Sequence, residues 1–537
     1  MEKADQLLAR ERGTIYKDPG GKISIALVYP NTYSVGMSNL GFQGIYGLLN
    51  RHSDVVCERV FLPDEMDLEE QEEKGYEPFA LESRRTLARF DIIAFSVSFE
   101  NDYPHILKIL RLAHIPARSA DRGEGHPLVI MGGVCAFYNP EPLAEFLDVC
   151  FIGESEEMLP RFLDICRSAR TRADLFQQAA AMEGLYVPRL YEVAYDAGTG
   201  LIIRRTATEG ASGVIRKQTV ADISSSVIRP VIITPEAEFS DMYLLETMRG
   251  CVWSCRFCVA GHIYKPARRK GFDALKAEIA QALQGAGKVG LIGPSLSDYP
   301  HVEEALAIAG VDFSITSLRA SPRTGRIVGL MQGHKSVSIA PEAGTERLRR
   351  VINKKITEED ILETSKMILT GGIETLRLYF MVGLPTETRD DITGIVDLVK
   401  KIRELSRRGF LTLSLSTFVP KPFTPFQWHP MESIREVKER LKIIRKGLGQ
   451  VKGVRVFHDV PKYAYLQGLL ARGDRRVSTV VEELAYGSVT TGTPSIPDRD
   501  FYTFRPRGHD EILPWDFIDA GVPKERLWQE YAEALGI

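Results

Sequence analysis

Ile23 to Tyr29 is a continuous apolar run closed by Pro30 and Asn31, the pattern of a strand buried on both faces. Val56–Leu62, Phe90–Val97, Leu128–Met131 and Val149–Ile152 repeat it, the last two followed by Gly132-Gly133 and Gly153-Glu154. Helical patterns over Phe42–Leu49, Tyr103–Ala113 and Glu156–Ser168 separate the strands. Strands alternating with helices predict an α/β fold, a doubly wound, flavodoxin-like parallel sheet over residues 21–183. Ligands of such a sheet bind outside the carboxyl ends of its strands, where these turns gather. Residues 1–20 are polar and read as a loosely attached lead-in.

From 184 to 235 the pattern shortens to a connecting β-segment. Leu190–Val193 and Leu201–Arg205 flank Asp196-Ala197-Gly198-Thr199-Gly200, a hairpin signal, and Val214–Lys217 and Val231–Thr234 are further strand candidates. The βα alternation then returns. Strands are expected at Met242–Leu245, Val289–Ile292, Phe313–Leu318, Val337–Ala340, Thr375–Val382 and Leu411–Phe418. Helices are expected at 272–283, 301–308, 323–332, 357–369, 390–405 and 434–447. Six such units predict a partial (β/α)6 TIM-type barrel over 236–450, open at one side for a large substrate, with its chemistry at the carboxyl ends of the strands. Residues 419–428 are proline-punctuated, and 451–537 read as a small C-terminal α+β domain.

Composition narrows the class without naming a function. The 537 residues are 44% apolar and 26% charged, ordinary for globular protein. No apolar run reaches the ~20 residues that span a bilayer, and the charged start lacks a signal-peptide core, so a cytoplasmic location is expected. A net charge of −3 argues against a general nucleic-acid surface. Cys57, Cys135, Cys150 and Cys166 are scattered among apolar neighbours and read as buried small hydrophobes.

The other three cysteines carry chemistry. Cys251, Cys255 and Cys258 stand at Cys-x3-Cys-x2-Cys spacing just after an expected strand, on a loop with Gly250. Three soft thiolates so close in sequence suit one metal centre. A cubane iron–sulfur cluster normally takes four, so three leave one iron open. A zinc knuckle with His262 as fourth ligand is the alternative, though zinc fingers usually pair Cys-x2-Cys with a distant second pair that this chain lacks.

Cys-x3-Cys-x-aromatic-Cys resembles the signature of radical S-adenosylmethionine (SAM) enzymes. The resemblance implies a [4Fe-4S] cluster on Cys251, Cys255 and Cys258, SAM chelated to the open iron, and an electron donor such as flavodoxin or ferredoxin. It places Phe257 beside the adenine, Glu342 at the ribose or amino group, Arg319 at the carboxylate and Gly383-Leu384-Pro385 against the adenine. Ser295 occupies the place where the family often has Gly-Gly-Glu; Glu387 reads as a capping or turn residue where a helix starts. Gly132-Gly133 and Asp148-x-x-x-Ile152-Gly153-Glu154 resemble the cobalamin-binding-like domain found ahead of many radical SAM barrels, although the loop Asn31–Gly41 has no histidine for cobalt; Ala340–Thr345 and Tyr379–Thr388 resemble a largely uncharacterised bacterial subfamily with such a domain. Either a corrinoid binds there without a protein ligand, or the fold is kept without cobalamin. The implied activity is radical chemistry on an unactivated carbon, with cobalamin-dependent C-methylation one form. RNA methylthiotransfer and a non-catalytic iron–sulfur or zinc protein are the alternatives. The basic runs Lys265–Lys270 and Arg347–Lys355 suggest attraction of an anionic small-molecule substrate.

Overall fold

The computed structural model describes residues 2–63, 74–284, 287–308, 310–315, 317–331, 333–406, 408–487 and 498–537. The chain forms two units, each built from separate segments. Met1–Leu244, Leu470–Arg499 and Asp510–Gly521 make the first; Leu245–Leu469, Asp500–His509 and Val522–Ile537 make the second.

In the first unit, β1 (Ile23–Tyr29), β2 (Val55–Phe61), β3 (Ile92–Ser96), β4 (Leu128–Gly132), β5 (Val149–Phe151) and β6 (Leu185–Tyr186) form one sheet in the order 2-1-3-4-5-6. All neighbours are parallel except β6, which runs antiparallel to β5. From Ser24 onward every β1 side chain is buried, as its unbroken apolar run requires. Ile25, Leu27 and Tyr29 share a core with Phe42, Tyr46, Leu159 and Phe162 from two of the expected helices. The order 2-1-3-4-5 puts the topological switch point between β1 and β3.

Two expectations for this unit need correction. Residues 1–20 are anchored: after the helix Glu2–Arg10, the Glu11 carboxylate accepts both terminal nitrogens of Arg59 at 2.7 Å. Arg59 Nε goes to Glu82 at 2.7 Å, and none of the three side chains is more than 2% exposed. The hairpin forms as β7 (Tyr191–Tyr195) and β8 (Ile202–Ala207), and β9 (Ile215–Arg216) pairs with Ile518–Asp519. Val231–Thr234, however, makes no strand; Ile233 only bridges to Arg12, because Pro230 and Pro235 flank it and donate no hydrogen bond. Residues after 451 contribute segments to both units.

The second unit begins within β10 (Met242–Glu246), at Leu245, and continues with the short antiparallel pair β11 (Met248–Arg249) and β12 (Arg268–Arg269), then β13 (Lys288–Ile292) and β14 (Phe313–Ser314). β10, β13 and β14 form one sheet in that order. β15 (Ser317–Leu318), β16 (Ser336–Glu342), β17 (Thr375–Val382), β18 (Phe410–Thr417) and β19 (Val454–His458) form a second, wholly parallel sheet, again in chain order. The strand expected over Phe313–Leu318 is thus β14 and β15; residue 316 between them, and Gln332 at the end of an expected helix, lie outside the described residues. β19 extends the barrel beyond the expected limit at 450. Along β17 burial alternates strictly: Leu376, Leu378, Phe380 and Val382 are buried, while Arg377 is exposed. Only one face is covered by the helices Glu358–Thr370 and Arg389–Leu405, whose capping boxes are Thr357–Asp360 and Thr388–Asp391.

Candidate functional site

At the carboxyl end of β10, the N–H and hydroxyl of Thr247 bond the Ile292 carbonyl of β13 at 2.8 and 2.9 Å, fixing the point where the cysteine loop departs. Gly250 has φ +80°, and a Cβ there would stand 2.3 Å from the Tyr264 carbonyl oxygen; one at Gly261 would stand 2.4 Å from that of Trp253. The loop therefore folds tightly onto itself. Cys251 N–H donates to Ala260 O at 3.2 Å and Cys258 N–H to Cys255 O at 3.0 Å.

Burial pushes all three thiols up, Cys258 to about 11; the charge of Cys251 acts on Cys255, and the charges of both act on Cys258. Opposing this, Lys354 and Arg319 favour the thiolates of Cys255 and Cys251, and the N–H groups of Ala260 and Gly261 face the Cys258 sulfur. Among the described residues no group of three or more His, Cys, Asp or Glu side chains is gathered at metal-binding distance. A metal that binds thiols must displace their protons. The donor set itself fits a thiolate-held cluster with one open position: three free cysteines on one loop, met by backbone N–H groups and two cations. His262 is buried with Nε2 3.2 Å from the Cys255 carbonyl oxygen, so that nitrogen faces backbone rather than a shared zinc.

Around the loop the strand ends supply polar groups. The Arg319 guanidinium lies 3.7 Å over the Trp253 ring and donates to the Lys354 and Lys355 carbonyls. Trp253 Nε1 donates to Asp298 Oδ2 at 2.7 Å, and Ser295 Oγ donates to the same oxygen. Ser295 thus orients Asp298, a carboxylate three residues on that no motif in the sequence singles out. Glu342, at the end of β16, takes φ +67° beside a register shift, and its Oε1 accepts Lys354 Nζ at 3.1 Å. Such strain in a non-glycine residue is uncommon. Phe257 is half-buried next to Arg256, whose N–H and guanidinium bond Ile352 O and Val351 O, each at 3.0 Å.

Gly383, Leu384 and Pro385 are buried at the end of β17. Glu387 is no helix cap: Thr388 caps the following helix, and the Glu387 carboxylate turns back to Gly383 N–H at 2.8 Å and Arg440 at 2.7 Å.

The two basic runs are largely neutralised within the fold. Lys270 pairs with Glu278 at 2.6 Å, Lys354 with Glu342, and Arg347 with Asp391, while Arg349 is buried against the Ala343 and Ile356 carbonyls. Of the strand-end glycines of the first unit, Gly132 is open, while Gly133 and Gly153 are closed by backbone. A Cβ at Gly133 would stand 2.4 Å from Val97 O, and one at Gly153 2.3 Å from Gln218 O, so both serve close backbone packing.

Comparison with known proteins matches two family models: "Radical SAM proteins, N-terminal" over residues 41–188 and "Radical SAM superfamily" over 245–399, together more than half of the chain. An uncharacterized protein of Methanocaldococcus jannaschii is 29% identical over 472 residues, 86% of this chain and 90% of that one. The tRNA-2-methylthio-N(6)-dimethylallyladenosine synthase of Sorangium cellulosum is 28% identical over 211 residues; the match covers 33% of this chain and 41% of the synthase. Among solved structures, the radical SAM methyltransferase TsrM from Kitasatospora setae, with cobalamin and a [4Fe-4S] cluster bound, covers 73% of this chain and 75% of its own at 15% identity and TM-score 0.47. The cobalamin-dependent SAM radical enzyme OxsB, with aqua-cobalamin and SAM bound, covers 70% and 52% at 15% identity and TM-score 0.48.

Proposed function

The chain belongs to the radical SAM superfamily, and we propose that it is an enzyme whose Cys251, Cys255 and Cys258 hold a [4Fe-4S] cluster for radical chemistry on an unactivated carbon. The single observation that carries the reading is the glycine-closed loop with three free thiols at the carboxyl end of β10. When bound and reduced, the cluster supplies the electron that cleaves SAM to a 5′-deoxyadenosyl radical.

The chain's own residues bind and orient. Lys354 and Arg319 offset the negative charge of the thiolates, and the N–H groups of Ala260 and Gly261 stabilise the Cys258 sulfur. Asp298 receives both its hydrogen bonds on Oδ2, which leaves Oδ1 to accept the SAM ammonium. Glu342, strained at its strand end, serves the ribose or amino group, and Arg319 the carboxylate. Phe257 and the Gly383-Leu384-Pro385 turn serve the adenine, the turn held in shape by Glu387.

C-methylation with cobalamin is the finer part of the proposal. The 2-1-3-4-5 strand order supports a corrinoid at the switch point, held without a histidine from the 31–41 loop. Anaerobic reconstitution tests both parts. Iron and sulfide of about four each per chain, with dithionite-dependent formation of 5′-deoxyadenosine, support the enzyme. Protein whose metal is tetrahedral zinc ends that reading. Absence of a corrinoid spectrum after incubation with hydroxocobalamin removes the cobalamin part alone.

A further inference from the structure

The uncovered face of the five-stranded sheet carries a row of aligned polar residues. Ser317 is in register with Ser338, Ser338 with Arg377, Arg377 with Thr412 and Thr412 with Arg455. Residues in register on neighbouring strands point to the same side, so these five side chains share one face. The intervening positions, including Leu318, Ile339, Leu376, Leu378, Leu411 and Leu413, are buried on the other. The Arg455 guanidinium lies 5.5 Å over the ring of Phe410, two residues before Thr412 and therefore on the same face.

Such a face is unusual for a βα barrel, whose interior is normally filled by branched apolar residues. Here Thr412, Ser414 and Ser416 follow one another up β18, with the half-buried Tyr379 beside them on β17. Arg377 and Arg455 are exposed, and among the described residues neither makes a hydrogen bond or an ion pair. No described position of this face carries a carboxylate. At a strand spacing of ~4.8 Å the two arginines stand about 10 Å apart at their backbones, with the Thr412 hydroxyl between them. Two guanidinium forks flanking a hydroxyl suit a multiply charged oxyanion, which they can grip in bidentate fashion.

We propose that Arg377, Thr412 and Arg455 bind the anionic end, phosphate or clustered carboxylates, of a small-molecule substrate whose reacting end lies at the cysteine loop. Phe380, three residues above Arg377, is in register with Glu342. The row thus sits about 10 Å along the strands below the end of β16, where the charge of Glu342 acts on Cys255. The proposal rests on the radical SAM reading only for the fate of that far end; the anion site stands on the sheet alone.

Titration calorimetry on the full-length, anaerobically reconstituted protein tests it, with inorganic pyrophosphate, citrate and a 20-nucleotide RNA as separate probes. One saturable site per chain is expected for pyrophosphate or citrate, the tighter of the two identifying the substrate's anion. Arg377→Ala and Arg455→Ala should each weaken it about tenfold or more, the loss of one charge-assisted contact. Arg377→Lys, which keeps charge and loses the fork, should fall between, and exposed Arg445→Ala should leave binding unchanged. Both arginines are exposed, so these variants should fold, and circular dichroism checks that. Failure of both small anions to saturate, or equal binding by all variants, overturns the proposal. So does tighter RNA binding lost in the same variants, which would assign the face to nucleic acid. SAM cleavage is measured on the same wild-type preparation. Anion binding without cleavage sinks the proposed function and spares this site, and cleavage without anion binding does the reverse.

Discussion

The carboxylate of Glu387 accepts the backbone N–H of Gly383 at 2.8 Å, closing the Gly383-Leu384-Pro385 turn at the end of β17. Arg440 completes the contact at 2.7 Å, and Glu387 Oε1, buried, has no partner. Burial pushes this carboxyl up to about 7, against the opposing pull of Gly383 N–H and Arg440.

A pH dependence follows with a definite sign. Because the folded carboxyl holds its proton more tightly than an unfolded glutamate, its contribution to stability is fully present below about pH 4.5 and is lost as pH rises through about 7. The span corresponds to about 3 kcal/mol. Glu387→Gln should flatten the fall in urea midpoint between pH 5 and pH 8. An unchanged pH profile would mean that Glu387 titrates normally.

Cys258→Ala should abolish cluster retention without unfolding the chain, since Cys258 lies partly exposed on a loop. Iron content after reconstitution should fall to background and 5′-deoxyadenosine formation should vanish, with the far-ultraviolet dichroism of the wild type kept. Full iron loading in this variant would remove Cys258 from the ligand set.

Arg319→Ala removes a cation acting on Cys251 and Cys255 and uncovers the Trp253 ring. SAM affinity, read by equilibrium dialysis on reconstituted protein, should drop about tenfold or more. Iron content should stay near the wild-type value, because all three thiols remain. Loss of iron instead would make Arg319 part of the cluster's support rather than SAM's.

Glu11→Gln should cost about 3 kcal/mol or more, because it leaves Arg59 buried with one of its two carboxylates gone. Chemical denaturation of the first unit reads it. A cost below about 1 kcal/mol would mean that Glu82 alone neutralises Arg59.

Features set by neighbours along the chain are legible from its residues alone. Apolar runs such as Ile23–Tyr29 mark the strands, Asp196–Gly200 the hairpin, Thr357 a helix start, and three cysteines within eight positions single out the loop after β10. Features that need partners far apart in the chain emerge only once it folds. Glu11 meets Arg59 across 48 positions, and Glu387 meets Arg440 across 53, so a polar lead-in became an anchor and a helix-start glutamate became a turn clamp. The cations divide for the same reason. The basic runs are conspicuous in sequence, yet ion pairs with Glu278, Glu342 and Asp391 neutralise much of their charge. Arg377 and Arg455 are isolated in sequence, 78 positions apart, and only strand register sets them in one row. Periodicity says which residues share a face of one strand; hydrogen bonding between strands says which residues become neighbours across it.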